Sequence, residues 1–294
     1  MSRPTILLTG AGGQVGFELA RGLADHGDVI ALDRAALDLA DADAIVATVR
    51  QARPELIVNA GAYTAVDLAE SESTLAFAVN ARAPGILAEE AKRQDAVLIH
   101  YSTDYVFDGR RTTPYEEDAP TGPLNVYGAS KYEGECAIEQ SGARAIVFRT
   151  SWVYGARGRN FLLTILRLAQ ERDELRIVAD QSGTPNWCRT LSEATTAAVA
   201  HGMPWLAERS GLYHLSSAGA TTWHGFAQAI VGELPRPRVV GIATSEYPTP
   251  ARRPAYGVMS SRKFEATFGY RMPDWRDELA ACRSSMLAGS RPID

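Results

Sequence analysis

Tyr127 and Lys131 stand four apart in Val126-Tyr127-Gly128-Ala129-Ser130-Lys131. On a helix that spacing puts both side chains on one face, one turn apart. An ammonium beside a phenol stabilises the phenolate and draws its pKa below the ordinary value of about 10. Tyr127 can then hand a proton to a carbonyl oxygen as hydride reaches the carbon. The pair alone is common by chance, so its weight depends on the elements around it.

The second set of residues is glycine. Gly10, Gly13 and Gly16 recur three apart in Thr9-Gly10-Ala11-Gly12-Gly13-Gln14-Val15-Gly16, and Gly12 also falls on the middle position of G-x-G-x-x-G. Glycines at a strand-to-helix junction permit a tight turn and bring backbone against a pyrophosphate. The helix opened by Gln14 and Val15 then offers free N–H groups to the anion. Asp33 ends the next apolar segment, where a carboxylate bonds ribose hydroxyls, and Arg34 beside it can meet a 2′-phosphate. The pair therefore leaves NADH and NADPH both open. A third set closes the fourth apolar segment, Tyr101-Ser102-Thr103-Asp104-Tyr105-Val106-Phe107. Ligands bind beyond such strand ends. Adjacent Ser102 and Thr103 point to opposite faces of an extended strand, so only one of them can be the close hydroxyl partner.

These groups need elements to position them. Apolar runs at 5–8, 29–32, 56–58, 97–101 and 145–148 read as strands. Helical patterns lie between them at 14–25, 42–52, 73–93 and 125–139, with Pro84-Gly85 interrupting the third. Such alternation predicts an α/β fold, a Rossmann-like doubly wound parallel sheet covered on both faces. Beyond about residue 155 the pattern changes. Helices are expected at 160–171, 191–201, 223–234 and 275–288 and a strand at 175–178. The prolines at 235, 237, 248, 250 and 254 predict ordered loop. The division expected is a dinucleotide-binding domain over 1–155 and a smaller, mainly substrate-binding lobe over 156–294, with some segments returning to the first.

The net charge of −5, without a Lys/Arg run, argues against a nucleic-acid surface. No apolar run approaches the roughly 20 residues that span a bilayer, and the N-terminal residues lack an export pattern, so a cytoplasmic protein without membrane contact is expected. Cys136, Cys188 and Cys282 have neither disulfide nor zinc spacing and read as structural thiols. His100 reads as a packed strand residue, His214 and His224 as structural or surface groups, and Glu116-Glu117-Asp118 as a solvated loop.

With Thr103, Tyr127, Lys131 and the early glycine turn in hand, the chain resembles the extended short-chain dehydrogenase/reductases. Longer strings narrow the likeness: Ala62-Tyr63-Thr64-Ala65-Val66-Asp67-Leu68-Ala69-Glu70, Pro123-Leu124-Asn125-Val126-Tyr127-Gly128, Phe148-Arg149-Thr150-Ser151-Trp152-Val153-Tyr154, Asp180-Gln181-Ser182-Gly183-Thr184-Pro185, Gly211-Leu212-Tyr213-His214-Leu215 and Tyr247-Pro248-Thr249-Pro250-Ala251-Arg252-Arg253-Pro254. Spread over essentially the whole chain, they resemble the dTDP-4-dehydrorhamnose reductase family. That resemblance implies NADPH or NADH as cofactor and reduction of the 4-keto group of a dTDP-linked deoxysugar. It makes Thr103 the hydroxyl partner, Tyr127 the proton donor, and Lys131 the cation that also binds nicotinamide ribose. It assigns Gly10 to Gly16, Asp33, Asp38, Leu39, Ala60, Gly61 and Ala62 to the cofactor. Thr64, Val66, Ser102, Asp104, Tyr105 and Trp152 fall on the substrate side, and Arg252 and Arg253 are candidate diphosphate contacts.

The chain departs from the family pattern in places. Asn59-Ala60-Gly61-Ala62 stands for Asn-Ala-Ala-Ala, and Asn186-Trp187 follows Pro185 where threonine is usual. Some members form dimers bridged by magnesium through glutamates. Arg189 falls near one such position, while Glu18 remains on the first helix, so the metal bridge is not expected and the assembly is a monomer or homodimer. The resemblance leaves another nucleotide-sugar 4-reductase, a 4-epimerase, and a non-enzymatic regulatory subunit as alternatives. Retention of Thr103, Tyr127 and Lys131 weighs against the last.

Overall fold

A computed structural model describes residues 3–232 and 237–289. The first half runs β1 (Thr5–Thr9), α1 (Gln14–Gly22), β2 (Asp28–Leu32), α2 (Ala42–Ala52), β3 (Leu56–Asn59), α3 (Val66–Ala69), α4 (Ser73–Phe77), α5 (Ala83–Arg93), β4 (Val97–Thr103), α6 (Val126–Ser141) and β5 (Ala145–Thr150). Local chemistry sets the ends. Asn125 Oδ1 accepts from the Gly128 N–H at 2.7 Å to start α6, and Gly142, at φ 64°, stops it. The helix expected over 73–93 is broken one turn before Pro84. Ala78–Arg82 forms a π turn, and Pro84 sits in the first turn of α5. A proline ring clashes with the carbonyl four residues back, here Asn80, and widening the ladder at that point relieves the clash.

The second half runs β6 (Val153–Tyr154), α7 (Phe161–Glu171), β7 (Glu174–Val178), β8 (Ser182–Gly183), β9 (Asn186–Trp187), α8 (Cys188–Val199), α9 (Met203–Ala207), β10 (Gly211–His214), β11 (Thr221–Thr222), α10 (Trp223–Val231), β12 (Arg238–Ile242), α11 (Arg262–Phe268) and α12 (Trp275–Gly289). The proline-rich stretch is not all loop. β12 lies within it and pairs in parallel with β7 from Arg238↔Glu174 to Ile242↔Val178. Leu234 and Pro235, expected at the end of a helix and in this loop, lie outside the described residues.

The main sheet has the order β10-β5-β4-β3-β1-β2, and every pairing in it is parallel. Alternate strand residues feed two cores. Ile6, Leu8, Val58, Ile99 and Phe148 pack with Leu19 of α1, Leu191 of α8 and Phe264 of α11. Leu7, Ile57, Leu98 and Val147 pack with Val49 of α2, Leu87 of α5 and Ile138 of α6. A third core, with Tyr154, Ile165, Leu175, Phe226 and Trp275, draws its buried residues from beyond residue 153, and Val15 of α1 packs against it. The strands thus end along one line, where the glycine turn, β4 and α6 meet.

Candidate active site

Lys131 is buried beneath the site on α6, and its Nζ donates to the Tyr101 carbonyl at 2.6 Å and lies 3.1 Å from His100 Nε2. Loss of solvent lowers it to about 8, against a smaller opposing pull from Glu135. Tyr127 corrects an expectation. Its phenol is not drawn down by the lysine. Burial pushes it up to about 12, with a downward contribution from Thr103 and an upward one from Asp104. The Lys131 ammonium is directed into β4 and not onto the phenol.

The strand-end hydroxyls divide as their alternation requires. Ser102 donates to Glu135, whose carboxylate also accepts from Arg149 Nε and Nη2, at 2.9 and 2.6 Å. Thr103 turns the other way, donating to Asp104 Oδ1 at 3.1 Å and accepting from the Tyr105 N–H at 3.2 Å. Asp104 is buried, its Oδ2 has no partner among the described residues, and burial lifts it to about 7.

A cavity of about 750 Å³ runs from the glycine turn to this helix. Gly12, Gly13, Gln14, Val15, Asp33 and Arg34 border one end, with Asp38 and Leu39 beside them. Ala60, Gly61 and Ala62 border its middle, and Thr64, Tyr101, Ser102, Tyr127 and Lys131 the other end. The glycines have separable reasons. Gly10 holds φ +72°, and a Cβ there would come within 2.5 Å of the Gly61 nitrogen. A Cβ on Gly16 would collide with the Gly10 carbonyl. Gly10 and Gly16 therefore let the turn close, whereas a Cβ on Gly12 meets nothing nearer than the Asp33 Cβ at 3.4 Å. Asp33 Oδ1 accepts from the Ala35 and Ala36 N–H groups at 3.0 Å, which holds the carboxylate at the cavity rim beside the exposed Arg34.

Past Tyr127, Tyr105 meets its ring edge-on at 5.5 Å. Val66 begins α3. Trp152 sits in the left-handed region at φ 43° and stacks on Trp223. Arg253 is already engaged: its two arms take Asp67 at 3.0 and 2.8 Å, and it also donates to Thr249 and the Ala251 carbonyl. Arg252 has an exposed side chain, and its backbone carbonyl accepts from Asn125 at 2.7 Å.

A family model described as the RmlD substrate binding domain matches residues 4–287. The chain belongs to this family. It is 49% identical to the dTDP-4-dehydrorhamnose reductase of Burkholderia thailandensis, over 96% of this chain and 99% of that one, and 43% identical to the Escherichia coli enzyme of the same name, over 92% and 94%. The crystal structure of dTDP-4-dehydrorhamnose reductase from Bacillus anthracis in complex with NADP superposes with a TM-score of 0.88 at 33% identity, covering 97% of this chain and 100% of that one.

A nicotinamide dinucleotide fits the family's cavity in this chain, because Gly12 and Gly13 border it at the first turn of α1 and Lys131 lies at the far end. Magnesium does not fit at Glu18. Arg189 Nε donates to that carboxylate at 3.3 Å, and no cluster of three or more metal-ligating side chains occurs among the described residues. Two features escaped the sequence reading. Gly158 and Arg159 border the glycine end of the cavity, held there by Asn160, which donates to Gln14 Oε1 at 2.8 Å. The Gly155-Ala156-Arg157-Gly158-Arg159 string is the signal that could have found them. Glu117 is not merely solvated. It is half-buried, accepts from the His214 N–H at 2.8 Å, and burial raises its pKa. No helix among the described residues is long and apolar enough to cross a membrane.

Proposed function

We propose that this protein reduces the 4-keto group of dTDP-4-dehydro-L-rhamnose with NADPH or NADH, giving dTDP-L-rhamnose. The carrying observation is that Tyr127 and Lys131, on one face of α6, border the cavity that begins at the glycine turn. The names of the relatives supply the sugar. A reduced nicotinamide bound along the cavity supplies the hydride. The chain's own groups do the rest. Gly12, Gly13 and the first N–H groups of α1 take the pyrophosphate, and Asp33 and Arg34 take the adenosine ribose or its phosphate.

Tyr127, lifted to about 12, is fully protonated at neutral pH and is the proton source for the carbonyl oxygen. Thr103 bonds the same oxygen and aligns it. Tyr105, Trp152, Thr64 and Val66 wall the sugar. Asp104, poised near 7, meets a sugar hydroxyl as donor or acceptor. Arg252 is the freer of the two arginines to meet the diphosphate, since Arg253 braces the loop against Asp67.

In this reading residues 1–155 form the dinucleotide-binding domain and also carry the sugar-walling residues named above, while 156–294 form the mainly substrate-binding lobe that brings Arg252 to the diphosphate. The working assembly is a monomer or homodimer in the cytoplasm. The test is a rate assay with dTDP-4-dehydro-L-rhamnose that follows loss of reduced-nicotinamide absorbance and identifies the product. Absence of dTDP-L-rhamnose under saturating NADPH and NADH would reject the assignment.

A further inference from the structure

A buried chain of polar groups runs behind the site. Thr9 Oγ1 donates to Asn59 Oδ1 at 2.7 Å, Asn59 Nδ2 lies 3.0 Å from His100 Nδ1, and His100 Nε2 lies 3.1 Å from Lys131 Nζ. Thr9, Asn59, His100 and Lys131 are all 2% exposed or less, so no bulk water edits this chain. The Gly61 N–H points at Asn59 Oδ1 from 3.2 Å, and a backbone N–H can only donate. That fixes the oxygen of the amide on the Gly61 side and its NH₂ on the His100 side. His100 Nδ1 must therefore accept, and a neutral imidazole then carries its one proton on Nε2. Burial and the neighbouring lysine both disfavour a second proton on the ring. The nitrogen facing Lys131 is thus an N–H.

An ammonium and an N–H cannot bond each other, whereas a neutral amine accepts from the N–H. We propose that His100, its tautomer locked by Asn59, is a positioning residue that holds Lys131 toward its amine form and thereby, where the reductase needs the Lys131 cation on the nicotinamide ribose, sets the alkaline limit of turnover. The other groups facing Lys131 do not override this. Tyr101 offers only its carbonyl, and Tyr127 is a neutral phenol. The Glu135 charge is engaged by Arg149 of β5 and by Ser102, and Asp104 bonds Thr103. The lowered affinity of Lys131 for its proton agrees with the sign.

The kinetic consequence rests on the reductase reading, but the tautomer does not, and the tests separate them. In the intact wild-type chain labelled with ¹⁵N-histidine, His100, one of five histidines, is expected at pH 7 as a neutral ring protonated on Nε2. A ring protonated on Nδ1 overturns the proposal whether or not any variant folds. In His100→Gln the side-chain carbonyl accepts from an ammonium. The alkaline limb of kcat for sugar-nucleotide reduction is then expected to move up by about one pH unit, with KM for NADPH changed less than about twofold. A limb that stays in place, with or without a fall in kcat, also overturns it. A wild type that has the expected tautomer but no turnover rejects the reductase reading alone.

Discussion

The indole of Trp152 lies flat on that of Trp223, with ring centroids 3.6 Å apart and planes 10° from parallel. Trp152 pays for its place with a left-handed backbone at φ 43°, a conformation that costs an L residue about 1–2 kcal/mol. Gly183 makes room on the same indole, since a Cβ there would meet the Trp152 ring at 2.5 Å. Trp223→Ala should free the Trp152 ring and raise KM for the sugar nucleotide about 3- to 10-fold, the equivalent of roughly 0.5–1.5 kcal/mol for an aromatic pair. Affinity for NADPH should hardly change. Initial-rate kinetics in both substrates check this, and an unchanged sugar-nucleotide KM would remove the stack from the site wall.

Tyr127→Phe should lower kcat by about 10²–10⁴-fold, the usual worth of a positioned general acid, and leave cofactor affinity nearly intact. The aromatic edge contact with Tyr105 at 5.5 Å survives the change, so the fold should too. Turnover near wild type would take the phenol out of the mechanism.

Asp33 and Arg34 both border the cavity, so their effects on cofactor choice should oppose each other. Each charged hydrogen bond is worth about 1.5–3 kcal/mol. The wild type should therefore prefer one cofactor by no more than about a hundredfold. Arg34→Ala should weaken NADPH use and spare NADH, and Asp33→Ala should do the reverse. Comparing kcat/KM for both cofactors decides it. Equal losses in Arg34→Ala would mean that the guanidinium does not face the 2′-phosphate.

Glu278 is buried, with Oε2 accepting from the Trp187 N–H at 3.0 Å, and burial lifts it to about 7 from an ordinary 4.5. The folded chain keeps this proton between those values while the unfolded chain loses it. The contribution of Glu278 to stability is therefore greatest below about pH 4.5, falls as pH rises toward 7, and is level above. Glu278→Gln imitates the protonated acid. It should match wild type at pH 4.5 and exceed it at pH 8 by up to about 3 kcal/mol. Urea unfolding at the two pH values measures this. A stability gap that is the same at both would show that Glu278 does not titrate between them.

The sequence by itself determined what local spacing encodes. Alternating apolar runs gave the parallel sheet, because side-chain period distinguishes strand from helix without knowledge of neighbours. The glycine turn and the Tyr127/Lys131 pair were legible for the same reason, each lying within one junction or one helical turn. Tertiary structure decided everything that depends on partners far along the chain. The parity of β4 forced Ser102 and Thr103 apart, but only Glu135 and Arg149 drawing Ser102 settled which way each points. His100 read correctly as a packed strand residue, yet its contact with Lys131, 31 residues on, appears only when α6 lies over β4. Arg253 carries charge that any reader would offer to a phosphate. Asp67, 186 residues earlier, has already claimed it. The short strand β10 enters the main sheet with too few residues for a periodic signal, stabilised by its pairing with β5. Such pairings come from chain closure, whose geometry no local window contains.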